Sequence, residues 1–281
     1  MRRTVILIAL AAVLLAGCRH ETKEFMTYTV SGERCYLQVF DEPFVLDLDT
    51  IGTKITYSIV WPEDGMMSMA AVRELQYLYF YDSTVSSIAD APDYWLDPDG
   101  IDGWFFYPDE TVKVVPADSL DEEEGYSYIN LEGSCTRDSN LVVFTVSQES
   151  YPFGAAHGLH STEFLTVDLE TGNAIHLADL VTDTNLLCEA VARAIQDLDV
   201  NSDVRECLFD EYIDVDRMPL PRNFTIDSAR TSITVYYGLY EIVPYACGIP
   251  EVVLPVYWLS KHVPLTPYAK RLFGPGSYIK E

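Results

Sequence analysis

Thr162-Glu163-Phe164-Leu165-Thr166-Val167-Asp168-Leu169-Glu170-Thr171-Gly172-Asn173 decides the reading of this chain. Residues 162 to 169 read as a strand. Leu169 to Asn173 reads as the hairpin turn that ends it, with Gly172 supplying the positive φ such a turn needs. Upstream, Leu141 to Ser147 and Tyr126 to Leu131 read as strands that pair antiparallel with it. Farther back, Ile55, Tyr57 and Ile59 alternate against Thr56 and Ser58 within Ile51 to Trp61, the mark of a half-buried strand. Phe25 to Val30 and Cys35 to Phe40 repeat the theme, as do Phe224 to Ile226, Ile233 to Tyr237 and Val252 to Leu254, which ends at Pro255. Two segments have helical spacing instead. Ser68 to Tyr81 places Val72, Leu75, Leu78 and Tyr79 on one face. A second helix, capped by Asp179 or within Thr182 to Thr184, runs to about Leu198 and lines up Leu187, Val191, Ala194 and Ile195. Ser260 to Glu281 reads as a polar, proline-punctuated tail with Leu265 and Leu272 as anchors. Strands in runs with few helices between them predict an α+β fold, antiparallel sheets packed against a few helices.

The chain has 281 residues, 48% hydrophobic and 22% charged, which is a globular composition with material for a substantial core. Asp and Glu outnumber Lys and Arg by 44 to 18, for a formal charge of −26. That balance excludes nucleic acid as a partner, because phosphate binding needs clustered cations. It disfavours anionic membrane surfaces for the same reason and leaves a cationic partner open.

The N-terminus reads as an export signal. Arg2 and Arg3 precede an uninterrupted apolar run from Val5 to Leu15, too short to span a bilayer comfortably, and small residues precede Cys18. Leu15-Ala16-Gly17-Cys18 resembles the bacterial lipobox, in which the cysteine is acylated and becomes the new N-terminus. A plain signal peptide is the alternative. The expected organisation is therefore a signal peptide over 1–17, a lipid-anchored tether over 18–24, an N-terminal α+β domain over 25–120 and a C-terminal α+β domain over 121–281. The expected location is the cell envelope, on a bacterial membrane through the lipid on Cys18. With Cys18 committed, Cys35, Cys135, Cys188, Cys207 and Cys247 remain, so one or two disulfides fit and at least one thiol is left over. The pairing does not follow from sequence, and no Cys-x-x-Cys is present.

Several blocks, in order, resemble a known family. They are Gly154-Ala155-Ala156-His157-Gly158, Phe164 to Gly172, His176-Leu177-Ala178-Asp179-Leu180 and Tyr237-Gly238-Leu239-Tyr240-Glu241-Ile242-Val243-Pro244-Tyr245-Ala246-Cys247-Gly248. They are similar to the RsiV-like and PdaC-like C-terminal domain, domain of unknown function 3298, over about residues 125 to 260. The segment 25–120 stands where that family carries domain of unknown function 4163. The resemblance implies an extracytoplasmic binding domain. RsiV-like members bind lysozyme, and PdaC-like members accompany a deacetylase domain that this chain lacks. The expected function is non-catalytic binding, of lysozyme or a peptidoglycan component. The alternative is an enzyme acting on cell-wall or surface glycan.

Five residues are the candidate partner-binding set: Tyr240, Glu241, Tyr245, His157 and His160. The first three lie in one loop bounded by Gly238 and Gly248, and function favours loops held by a rigid sheet. The alternative is that Tyr240 or Tyr245 plugs the core and His157 bonds inside it. His157 and His160 lack the third ligand that zinc needs. Asp97 to Gly103 fails the EF-hand pattern, since Asp102 and Pro108 stand where it needs Gly and Glu. Gly-x-Ser-x-Gly is absent. Cys247 reads as a buried small residue without an adjacent base. No metal, cofactor or catalytic residue is expected.

Overall fold

The structure, a computed structural model, describes residues 25–40, 50–80, 88, 111–116, 119–120, 126–221 and 223–278. The signal segment, Cys18, the tether and the acidic, aromatic stretch from Tyr94 to Tyr107 lie outside the described residues. No helix among the described residues is long and apolar enough to cross a membrane.

Seven strands form the main sheet: β1 (Thr27–Val39), β2 (Thr50–Pro62), β3 (Thr111–Val115), β4 (Tyr126–Asp138), β5 (Leu141–Tyr151), β6 (Leu159–Asp168) and β7 (Asn173–Ala174). Their spatial order is β3-β1-β2-β4-β5-β6-β7. Every pair is antiparallel except β2 with β4, which run parallel from Gly52↔Tyr126 to Ser58↔Glu132. The sheet is therefore continuous through residue 120, with β2 and β4 as its central seam. β1 is one strand where the sequence suggested two. Gly32 does not turn the chain; a Cβ there would meet the Tyr57 hydroxyl of β2 at 2.5 Å, so the glycine makes room for that ring.

One face of this sheet is apolar. Helix α1 (Met69–Phe80) lays Ala71, Leu75 and Tyr79, four apart on one stripe, over Ile59, Leu131, Phe144, Val146, Leu165 and Val167. The turn before β7 docks the start of this helix. Gly172 has φ 71°, as its turn requires, and its carbonyl accepts from Ser68 N at 2.7 Å.

The second core lies under a smaller antiparallel sheet, β10-β9-β8, made of β8 (Asn223–Ile226), β9 (Ser232–Tyr236) and β10 (Glu251–Pro255). Short helix α2 (Leu177–Leu180) leads into α3 (Thr184–Asp197). Asp183 caps α3, its Oδ1 accepting from Asn185 N at 2.9 Å and Leu186 N at 3.2 Å. Leu187, Val191, Ala194 and Ile195 of α3 pack against Ile233, Val235, Val252 and Leu254. Helix α4 (Ser202–Cys207) follows. The C-terminal segment is helical where the sequence suggested a polar tail. It forms α5 (Val256–His262) and α6 (Pro267–Phe273). Thr266 caps α6 with Pro267 in its first turn, so the prolines there start a helix instead of excluding one. Leu265 and Leu272 are buried in this core.

Asn223 joins the two sheets. Its side chain accepts from Phe164 N at 2.9 Å and donates to Thr162 O at 2.6 Å, taking the free backbone edge of β6. This places the loop after β9 beside the start of β6.

Candidate functional site

Two loops meet at that junction. Pro152 to Gly158 connects β5 to β6, and Tyr237 to Pro250 connects β9 to β10. The second loop is anchored by residues that point inward. Ile242 and Val243 are buried, and Tyr237 donates to Pro219 O at 3.0 Å. Burial pushes the Tyr237 phenol well above its ordinary value, so it stays a neutral donor. Between these anchors, Tyr240 and Glu241 point out. Tyr240 sits at φ 64°, a left-handed conformation that costs a non-glycine residue roughly 1 kcal/mol. Glu241 holds the turn: its N–H donates to Gly238 O at 3.1 Å and its Oε2 accepts from Gly238 N at 2.7 Å.

The strained turn aims Tyr240 at the first loop. The Tyr240 hydroxyl and His157 Nε2 are 3.1 Å apart. His157 Nδ1 lies 3.0 Å from Gly158 O, to which Tyr245 also donates at 2.8 Å. The His157 ring stacks on Tyr245 at 4.0 Å, and Tyr240 stacks on the same ring at 5.6 Å. His160 meets Tyr245 edge-on at 6.1 Å. Four of the five candidate residues thus form one contact cluster, and Glu241 shapes the turn that builds it. The alternative, in which His157 bonds inside the core, does not match its exposed position. His157 and His160 are exposed, Tyr240 is 51% exposed, and Tyr245 is half-buried. An open depression of about 340 Å³ beside Tyr240 is lined by Gln148, Ser150, Leu159, His160 and Ser161.

Cys247 is also not the buried residue the sequence suggested. It is exposed and bridges to Cys207 at the end of α4, 40 positions away, with Cα atoms 6.3 Å apart. Cys35, Cys135 and Cys188 are free thiols. Burial raises the pKa of each, which keeps them protonated and weakly nucleophilic. Among the described residues no three His, Cys, Asp or Glu side chains are grouped to hold a metal ion.

Sequence reasoning missed Tyr151 and Glu163 and gave Gly158 no role. Tyr151 sits opposite Tyr128 in the sheet and donates to Ala155 O at 2.8 Å, closing the first loop. A Cβ on Gly158 would lie 2.8 Å from Ser150 O, so only glycine fits under these rings. Gly158 ends the quoted histidine motif and Tyr151 stands just before it, so their proximity was visible and their roles were not. Glu163 is pushed up by burial and by the Glu241 carboxylate. Its native form holds a proton to higher pH than the unfolded chain does. Its contribution to stability is therefore complete below 4.5, the ordinary value, and is lost as pH rises through the raised value. Glu163→Gln is expected to raise Tm at neutral pH and to leave it unchanged below the ordinary carboxylate range. Melting curves across pH check this, and an equal Tm at neutral pH would refute it.

Comparison with known proteins places this geometry. Residues 178–257 match the family described as "Protein of unknown function (DUF3298)", a span that includes Tyr240, Glu241 and Tyr245 and excludes both histidines. No curated protein matches the chain. A crystal structure of a DUF3298 family member from Bacteroides fragilis is 18% identical, with 88% of this chain and 96% of that chain covered and a TM-score of 0.57. A DUF3298 family protein from Pseudomonas aeruginosa is 16% identical, with 87% and 96% covered and a TM-score of 0.47. The first has the same fold. Residues 178–257 match the DUF3298 family model, in a chain that has the fold of the Bacteroides fragilis member of that family.

Proposed function

We propose that this chain is a cell-envelope lipoprotein whose exported part is a non-catalytic binding module, with partner contact centred on Tyr240, Glu241, Tyr245, His157 and His160. The observation that carries the reading is the cluster itself. Rings from two loops, 83 positions apart at His157 and Tyr240, meet on the surface and keep exposed edges and polar tips. Tyrosines of this kind are the usual anchors of an interface. The formal charge of −26 suits a cationic protein such as lysozyme, as the RsiV-like resemblance implies. The PdaC-like resemblance implies a wall component instead, with residues 25–120 as the partner domain. The Leu15-Ala16-Gly17-Cys18 run and the Cys207–Cys247 bridge both suit export to an oxidising compartment.

The test pairs Tyr240→Ala with Glu241→Ala in the full chain. Capture of lysozyme or of wall fragments is expected to weaken about tenfold, or about 1.4 kcal/mol, while circular dichroism and Tm stay near wild type. Capture that falls only in step with stability would make the loop a scaffold and refute its role in contact. Cys18→Ala is expected to abolish palmitate labelling and release the protein from membranes; labelling that persists would remove the lipid anchor from the proposal.

A further inference from the structure

The open face of the main sheet continues the cluster. Strand register places Glu33, Thr56, Asn130, Glu149 and His160 in one row across β1, β2, β4, β5 and β6. A neighbouring row runs through Lys54, Tyr128 and Tyr151, and another through Ser31, Ser58, Glu132, Ser147 and Thr162. Cross-strand bonds run within these rows and, at Tyr128, between two of them. Thr56 donates to Asn130 at 2.8 Å, Tyr128 donates to Glu149 at 2.9 Å, and the Ser147 and Thr162 hydroxyls lie 3.3 Å apart. Rings thread through this polar ground. Tyr126 and Tyr128 are 6.5 Å apart, and Tyr128 stacks on Tyr151 at 6.0 Å. The edge of Tyr151 lies against Gly158, whose carbonyl receives the Tyr245 hydroxyl. Tyr126, Tyr128, Tyr151, Tyr245, His157 and Tyr240 therefore form one aromatic strip, bordered by hydroxyl, amide and carboxylate groups.

We infer that this strip is a binding surface for a linear, neutral glycan chain, an inference that rests on the binding-module reading and names its ligand class. Each pyranose has a C–H face that lies flat on an aromatic ring and a rim of hydroxyls that needs donors and acceptors. The strip supplies both along its length. The carboxylates of Glu33, Glu132 and Glu149 accept hydroxyl protons in charge-assisted bonds. The same three carboxylates outnumber the cations of this face, Lys54, which pairs with Glu33 at 3.6 Å, and Lys113 in the row of Tyr126, so a polyanionic chain is disfavoured. The rows of Glu33 and Ser31 hold no Leu, Ile, Val, Met or Phe, and the rows of Tyr128 and Tyr126 reach Val115 and Leu37 only at the β1–β3 edge, so the middle of the face lacks the aliphatic anchors from which a protein interface builds a dry core. Gly158 keeps the strip continuous, since a Cβ there would collide with the Ser150 carbonyl at 2.8 Å and force β6 away from β5 beneath Tyr151.

Isothermal titration of the full chain tests this with neutral oligosaccharides of cellulose, chitin and xylan type in increasing length, with polygalacturonate, and with lysozyme. At least one neutral series is expected to bind, more tightly as the chain lengthens and with little dependence on salt. Tyr128→Ala, which removes a surface ring, is expected to weaken that binding about tenfold, whereas Tyr128→Phe, which keeps the ring face, holds it within about threefold. Asn130→Ala gives an independent loss if Tyr128→Ala perturbs folding. Failure of every neutral series, preference for polygalacturonate, or binding untouched by Tyr128→Ala and Asn130→Ala would overturn the inference. Lysozyme binding that depends on Tyr240 and Glu241, without glycan binding, would overturn it and leave the binding-module reading standing. Absence of all binding would sink both.

Discussion

Replacing Cys207 and Cys247 together by serine is expected to destabilise the protein by roughly 4 kcal/mol, because the bridge closes a loop of 40 positions and constrains the unfolded chain accordingly. The bridge ties the last residue of α4 to the turn Tyr245–Cys247. Phe209 N also donates to Ile242 O at 3.0 Å, so part of the local attachment survives without the disulfide. The loss should therefore be mainly one of global stability, with a second effect on the ring stack of Tyr245 over His157. Chemical denaturation measures the first and partner capture the second. Wild type under reductant is expected to move to the double variant's midpoint, since Cys247 is exposed and accessible. The variant itself should not respond to reductant. Matching midpoints for oxidised wild type and variant would show that the bridge adds nothing.

Gly133→Ala is expected to cost about 3 kcal/mol, combining overpacking of a filled core with the loss of a buried hydrogen bond. A Cβ at Gly133 would collide with the Tyr79 hydroxyl and lie 2.8 Å from its Cζ. Tyr79 cannot retreat easily. It is fully buried in α1, and its hydroxyl lies 3.2 Å from both the N–H and the carbonyl of Val60. Burial pushes its pKa up to about 12, so it remains a neutral phenol at any ordinary pH. Tyr79→Phe removes the colliding oxygen, and Gly133→Ala should then cost less by about 1 kcal/mol, a coupling that a double-mutant cycle reads directly. Additive effects would mean that β4 shifts to accept the methyl without engaging Tyr79.

Local pattern carried most of the elements. α1 and α3 were legible from their apolar spacing, and β5 and β6 from their apolar content and the turn at Gly172. What escaped depends on residues distant in the chain. Pro267 and Thr266 look like tail punctuation until Leu265, Leu272 and Phe273 find a core to enter. Gly32 and Gly133 look like strand breakers until Tyr57 and Tyr79 occupy the space they leave. The candidate residues were legible one by one, because they stand in glycine-bounded segments. Their convergence was not, since it depends on Asn223 placing the β9–β10 loop against the edge of β6. Tyr126, Tyr128 and Tyr151 were hidden for a related reason: a shared face follows from register, which no single strand encodes.

The parallel seam between β2 and β4 has a kinetic consequence. β1 and β2 meet across a short connection, and β4, β5 and β6 form a meander whose first pairing spans only Asp138↔Leu141. Each group can zip up locally as the chain is made. The seam joins positions 74 apart, as in the Thr56–Asn130 bond, so it closes only after β4 has been made and delivered beside β2. Long-range pairing of this kind sets the slow step of folding. Until it closes, the β2 edge is an unsatisfied template open to a neighbouring copy, so the period of greatest aggregation risk ends when this seam forms.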